Sequence, residues 1–186
     1  MSWPPPVDAA ASLRGIVEAF QPLLGRRLKA MTWLATSADT PDLVSDSLPD
    51  AVSFSGGVQL VFEGNEPLFL TWTRRYPYLL RPGREADDWS PHVLDRVQAL
   101  TRSPWGGLED CRLVAADIFS GSPLSDAGRG VVGVRCALVA DDGAPARLWI
   151  GVGGDDGLRE GDDLWVGLVD PPNVAELEHL TRLDDG

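Results

Sequence analysis

The segment GGVQLVFEGNEPLFLTW, residues 56–72, narrows the possible folds more than any other part of the chain. Val58, Leu60 and Phe62 alternate with other residues, Gly64-Asn65 supplies a turn, and Leu68, Leu70 and Trp72 return with the same period of two. That pattern is a β-hairpin, because successive side chains of a strand point to opposite faces. A second hairpin is written in VVGVRCALVADDGAPARLWIGVG (131–153), which turns at Asp142-Gly143. Further strands are expected at 28–37, 108–119 and 163–170.

Helical spacing is rarer. Leu13, Ile16, Val17 and Phe20, extended by Leu23 and Leu24, predict a helix over 8–24, with Asp8 as its cap, a weak point at Pro22 and a stop at Gly25. Ser90 and Pro91 followed by Val93, Leu94, Val97 and Leu100 predict a second helix over 90–101. Asn173 with Glu176 predicts a short last helix in the tail 171–186. In order, these elements suggest two αβββ repeats, 8–80 and 90–170, in which Leu28 corresponds to Leu113, Val58 to Val134 and Trp72 to Trp149. The expectation is one compact domain over 1–186, an α+β fold with antiparallel sheet covered by two main helices under pseudo-twofold symmetry.

At 186 residues and 44% hydrophobic content the chain has enough apolar material for such a core. Cys111 and Cys136 both lie in apolar, strand-like runs, which suits reduced, buried thiols and not a disulfide framework or a four-ligand zinc site. The N-terminus lacks the basic start and apolar run of a secretory signal, and no stretch is long enough for a membrane span, so the expectation is a soluble cytoplasmic protein.

Net charge is −12, and 12 acidic residues between 141 and 186 face only Arg147, Arg159 and Arg182. Such a surface repels a phosphate backbone, which argues against nucleic acid and for a basic protein as partner. Signatures of chemistry are missing where they would be sought. IGVGGDDG (150–157) has Asp156 where a dinucleotide loop needs its third glycine. DDGLREGDD (155–163) lacks the ligand order of a calcium loop, FSGG and FSGSP are not nucleophile elbows, and His92 and His179 are expected as exposed helix residues. No catalytic residue, cofactor or metal is therefore assigned.

Three groups remain as interaction candidates. Arg74, Arg75, Tyr76, Tyr78 and Arg81 cluster after the first hairpin; they form either a contact surface or the exit of a strand whose arginines pair locally. Trp89 and Trp105 flank the second predicted helix as pocket walls or as buried lids. Asp155, Asp156, Asp162 and Asp163 form an acidic rim, which also suits a solvated loop. The reading is a non-enzymatic acidic domain that binds another, basic protein, in the adaptor-like manner or as bacterial immunity proteins neutralise nuclease toxins. The alternatives are a small-molecule-binding domain or enzyme with a pocket between the repeats, and a homodimer formed through an exposed sheet edge.

Overall fold

A computed structural model describes residues 9–36, 46–73, 78–84, 95–121, 130–159 and 161–186. The architecture is dominated by antiparallel strands, with one α-helix among the described residues, and is α+β in the broad sense. Helix α1 spans Ala9–Phe20 and buries Ile16 and Phe20; Pro22 tightens the next three residues into a 3-10 turn and Gly25, at φ 76°, ends it. The helix therefore stops four residues short of the boundary its apolar stripe predicts.

The strands are β1 (Leu28–Ala35), β2 (Ala51–Phe54), β3 (Gly56–Phe62), β4 (Leu68–Trp72), β5 (Leu80–Gly83), β6 (Asp95–Gln98), β7 (Arg112–Ser120), β8 (Val131–Val139), β9 (Pro145–Gly154), β10 (Gly157–Leu158), β11 (Leu164–Gly167) and β12 (Glu178–Asp184). They form a five-stranded sheet, β5-β4-β3-β1-β6, and a seven-stranded sheet made of the path β12-β7-β8-β9-β11-β2 and of β10, which pairs with β9. One continuous core draws on both sheets and on α1, with Trp33 standing edge-on against Trp105 at 4.8 Å between centroids.

Corners at Gly56 and just before β1 join the sheets. The chain crosses from β2 to β3 at Gly56, whose φ of 154° and whose approach to the Leu34 carbonyl leave no room for a side chain. At the other corner the residues before β1 pair with β7, with Gly25 N donating to Leu113 O and Leu28 N to Cys111 O.

Both predicted hairpins form. β3 and β4 pair Val58 with Leu70, and β8 and β9 pair Val134 with Ile150. The turn between β8 and β9 is closed by Asp142 Oδ1, which accepts from Ala144 N at 2.9 Å, and by Gly143 at φ 84°.

Two predicted helices are replaced by strand. Over the described part of 90–101, residues 95–98 form β6 and 99–101 a 3-10 turn, while 90–94 lie outside the described residues. β6 pairs with the edge of β1 left open by β3, and Thr32 donates across it to Gln98 at 3.2 Å. Buried strands require partners for their backbone groups, and that demand overrides the helical spacing of Val97 and Leu100. The tail is likewise a 3-10 turn at Val174–Glu176 followed by β12, which supplies the same service to β7. Asn173 caps no helix: its side chain pairs with Leu158 in both directions, accepting from the amide at 2.9 Å and donating to the carbonyl at 2.7 Å. The second unit of the expected duplication thus has strand and turn, not helix, over residues 95–101.

Candidate functional site

The best-organised polar cluster lies across the seven-stranded sheet. Strand register sets Arg182 opposite Asp117, Asp117 opposite Arg135, Arg135 opposite Trp149 and Trp149 opposite Gly167. The row therefore crosses β12, β7, β8, β9 and β11 on one face. Cross-strand neighbours of this kind lie close enough for their side chains to meet.

Asp117 is the hub, with its side chain only 3% exposed. Arg135 donates to its Oδ2 through Nε at 3.3 Å and Nη2 at 3.0 Å, Arg182 Nη1 reaches both oxygens at 3.3 Å, and His179 Nε2 lies 3.0 Å from Oδ1. Burial pushes this carboxyl upward. The hydrogen bonds from Arg135 and His179, with the charges of Arg135 and Arg182, more than offset that and hold it below the usual carboxylate range.

Arg135 also lies over a pair of touching rings, its guanidinium carbon 5.6 Å from the centres of both Phe119 and Trp149, which are themselves 5.0 Å apart. Trp149 is fully buried and donates Nε1 to Asp170 at 3.0 Å, and Asp170 also accepts from Arg147 Nη1 at 2.6 Å. Burial raises the Asp170 carboxyl, and the bonds from Arg147 and Trp149 bring it below its ordinary value.

Beside the row lies an open groove of about 800 Å³ whose lining includes Val114, Asp117, Arg135, Ala137, Val139, Pro145, Arg147, Leu168 and Arg182. At the other end of β9 the chain folds back over its own sheet. Leu158 of β10 covers the backbone at Gly133 and Gly151, and Asn173 clamps it there.

The sequence-derived candidates fall into three fates. Arg74, Arg75, Tyr76 and Trp89, with His92, lie outside the described residues. Tyr78 packs against the core, and Arg81 donates Nε to Trp72 O at 3.1 Å and Nη1 to Pro82 O at 3.2 Å. Arg81 lies in β5 opposite Thr71 of β4, and Tyr78 stands two residues before that strand. Trp105 is fully buried, its Nε1 bonded to Pro49 O at 2.8 Å, which leaves it no surface to offer a pocket or partner.

The four aspartates do come together. Asp155 and Asp156 form the exposed turn between β9 and β10, and Asp162 is exposed in the connection to β11. Asp163 is half-buried, and its carbonyl accepts from Gly153 N at 3.0 Å, tying that connection to the end of β9. Asp156 pairs with Arg159 at 2.5 Å, while Asp155 and Asp162 meet no cation among the described residues.

Sequence reasoning missed Asp117, Arg135 and His179. Asp117 and Arg135 had a signal: Arg135 is the single charge of β8, Asp117 is the single charge of β7 after its first residue, Arg112, and the strands are sequential neighbours. His179 was expected on a helix, and its place in β12 against a buried carboxylate corrects that. Nucleophilic chemistry has little support from the thiols, since burial, with Asp117 adding to it, pushes Cys136 up to about 12 and burial raises Cys111. Among the described residues no three His, Cys, Asp or Glu side chains are grouped to hold a metal ion, and no helix is long and apolar enough to cross a membrane. Comparison with family models, with curated proteins and with solved structures gives no match to this chain.

Proposed function

We propose that this chain is a binding domain that recognises a basic protein surface through the aspartates at the β9–β10 end of the seven-stranded sheet. The observation that carries the reading is the gathering of Asp155, Asp156 and Asp162, all exposed, around the end of β9, with Asp163 tied to the same point. The net charge of −12, concentrated after residue 140, supports it by steering a cationic surface toward that end. An inhibitor that neutralises a basic enzyme and an adaptor that docks one belong to the same class.

The test uses the immobilised chain beside a variant carrying Asp155→Asn, Asp156→Asn, Asp162→Asn and Asp163→Asn. A basic protein retained at about 50 mM salt, released near 500 mM and lost with the variant supports the reading, because exposed charge pairs are screened over that range. Equal retention by both chains contradicts it.

A further inference from the structure

The groove at the opposite end of β9 has the chemistry of a second site. Arg135, Arg147 and Arg182 all line it, in a chain that is otherwise strongly acidic. Each guanidinium is held in place through part of its donor edge and keeps the rest. Asp117 takes Nε and Nη2 of Arg135; Asp170 takes Nη1 of Arg147; Asp184 and Asp117 take Nε and Nη1 of Arg182. Nη1 of Arg135, Nε and Nη2 of Arg147 and Nη2 of Arg182 make no hydrogen bond among the described residues. The three side chains are 34%, 48% and 47% exposed, so those donors remain within reach of a ligand.

The arginines are also preorganised. A guanidinium that lies over the touching rings of Phe119 and Trp149 and is pinned by a buried carboxylate loses little freedom on binding, a cost that weakens surface arginine sites. Planar guanidinium edges match the paired oxygens of carboxylate and phosphate groups. Ala137, Val139 and Pro145 add an apolar lining next to these donors, and a volume of about 800 Å³ lies within the range of small-molecule sites.

The carboxylates Asp117, Asp170 and Asp184 balance the three arginines in formal charge, so net attraction does not select the ligand. Directed hydrogen bonds do. From this geometry we infer that the groove binds a small organic anion, one whose carboxylate or phosphate group meets Arg135, Arg147 and Arg182 while its apolar part lies on Ala137 and Val139. The site is distinct from the aspartate rim, and either can fail without the other.

The experiment is calorimetric titration of the full chain with citrate and with pyrophosphate, at ionic strength matched by sodium chloride. Arg147→Gln and Arg147→Lys are titrated alongside, because Arg147 is half-exposed and its loss leaves Asp117 paired. Saturable binding of at least one probe, weakened about tenfold or more by Arg147→Gln and partly kept by Arg147→Lys, is the expected result. Preference for citrate assigns a carboxylate ligand and preference for pyrophosphate a phosphate ligand. No heat from either probe at about 10 mM, or binding indifferent to Arg147→Gln in a variant whose unfolding curve is unchanged, overturns the inference.

Discussion

The two ends of β9 carry charge under opposite conditions. Near Arg147 and Trp149 the polar groups stand on a pleated face, opposite counter-charges set by strand register, and Asp117 is nearly sealed from water beneath Arg135, Arg182 and His179. Past Gly154 the aspartates follow a glycine-rich turn, and Asp155 and Asp162 are left facing solvent. A carboxylate held within a sheet must be answered by hydrogen bonds, because removing it from water is costly. A carboxylate on a turn needs no such answer and is available for another molecule. The same residue type therefore has a structural duty at Asp117 and none at Asp155 or Asp162.

That contrast breaks most visibly at its hub. Asp117→Ala leaves Arg135 over the Phe119 and Trp149 rings without its counter-ion, and the folded state should lose roughly 2–4 kcal/mol in urea denaturation, the range for deleting one partner of a buried, hydrogen-bonded charge network. Arg182→Gln, at a half-exposed partner of the same carboxylate, should cost under about 1 kcal/mol.

Next in size is the fold-back that separates the rim from the groove. Gly157 has φ 116°, and a Cβ there would lie 2.0 Å from Asn173 Oδ1. Gly157→Ala should therefore cost about 1–3 kcal/mol and speed amide exchange at Leu158, whose partner is the displaced Asn173. Unchanged exchange would show that β10 is held by something other than that clamp.

The pH dependence sharpens the comparison further. Asp117 and Asp170 have carboxyls lowered in the folded state, so the unfolded chain binds protons more readily. Their stabilisation is fully present above the ordinary carboxylate range near pH 4 and is lost as pH falls through their folded values. The melting temperature should drop below about pH 4, and Asp117→Asn should flatten that drop. The smallest effect belongs to the rim: changing Asp155, Asp156 and Asp162 to asparagine should shift stability by less than about 0.5 kcal/mol, as surface substitutions usually do.

Legibility in the sequence followed the range of the deciding interaction. The β3–β4 and β8–β9 hairpins could be read because Gly64-Asn65 and Asp142-Gly143 fix their turns within a few residues. β6 and β12 could not, since what decides them is the open edge of β1 and of β7, far away along the chain. Local spacing around Val97 and Asn173 favoured helices, and the sheet edges prevailed. The same reasoning applies to the polar row. Asp117 and Arg135 were visible as charges in the middle of apolar runs, whereas Arg182 and His179 join them only through β12, a strand that the residues after Asn173 do not announce. The rim was legible as a cluster because its four aspartates lie within nine residues of one another.

The account rests on the division of labour between the two ends of β9. Urea unfolding of Asp117→Ala beside the triple variant Asp155→Asn, Asp156→Asn and Asp162→Asn measures it most directly. The account requires a midpoint well below wild type for the first and one close to wild type for the second; a rim variant destabilised as much as the hub variant would contradict it.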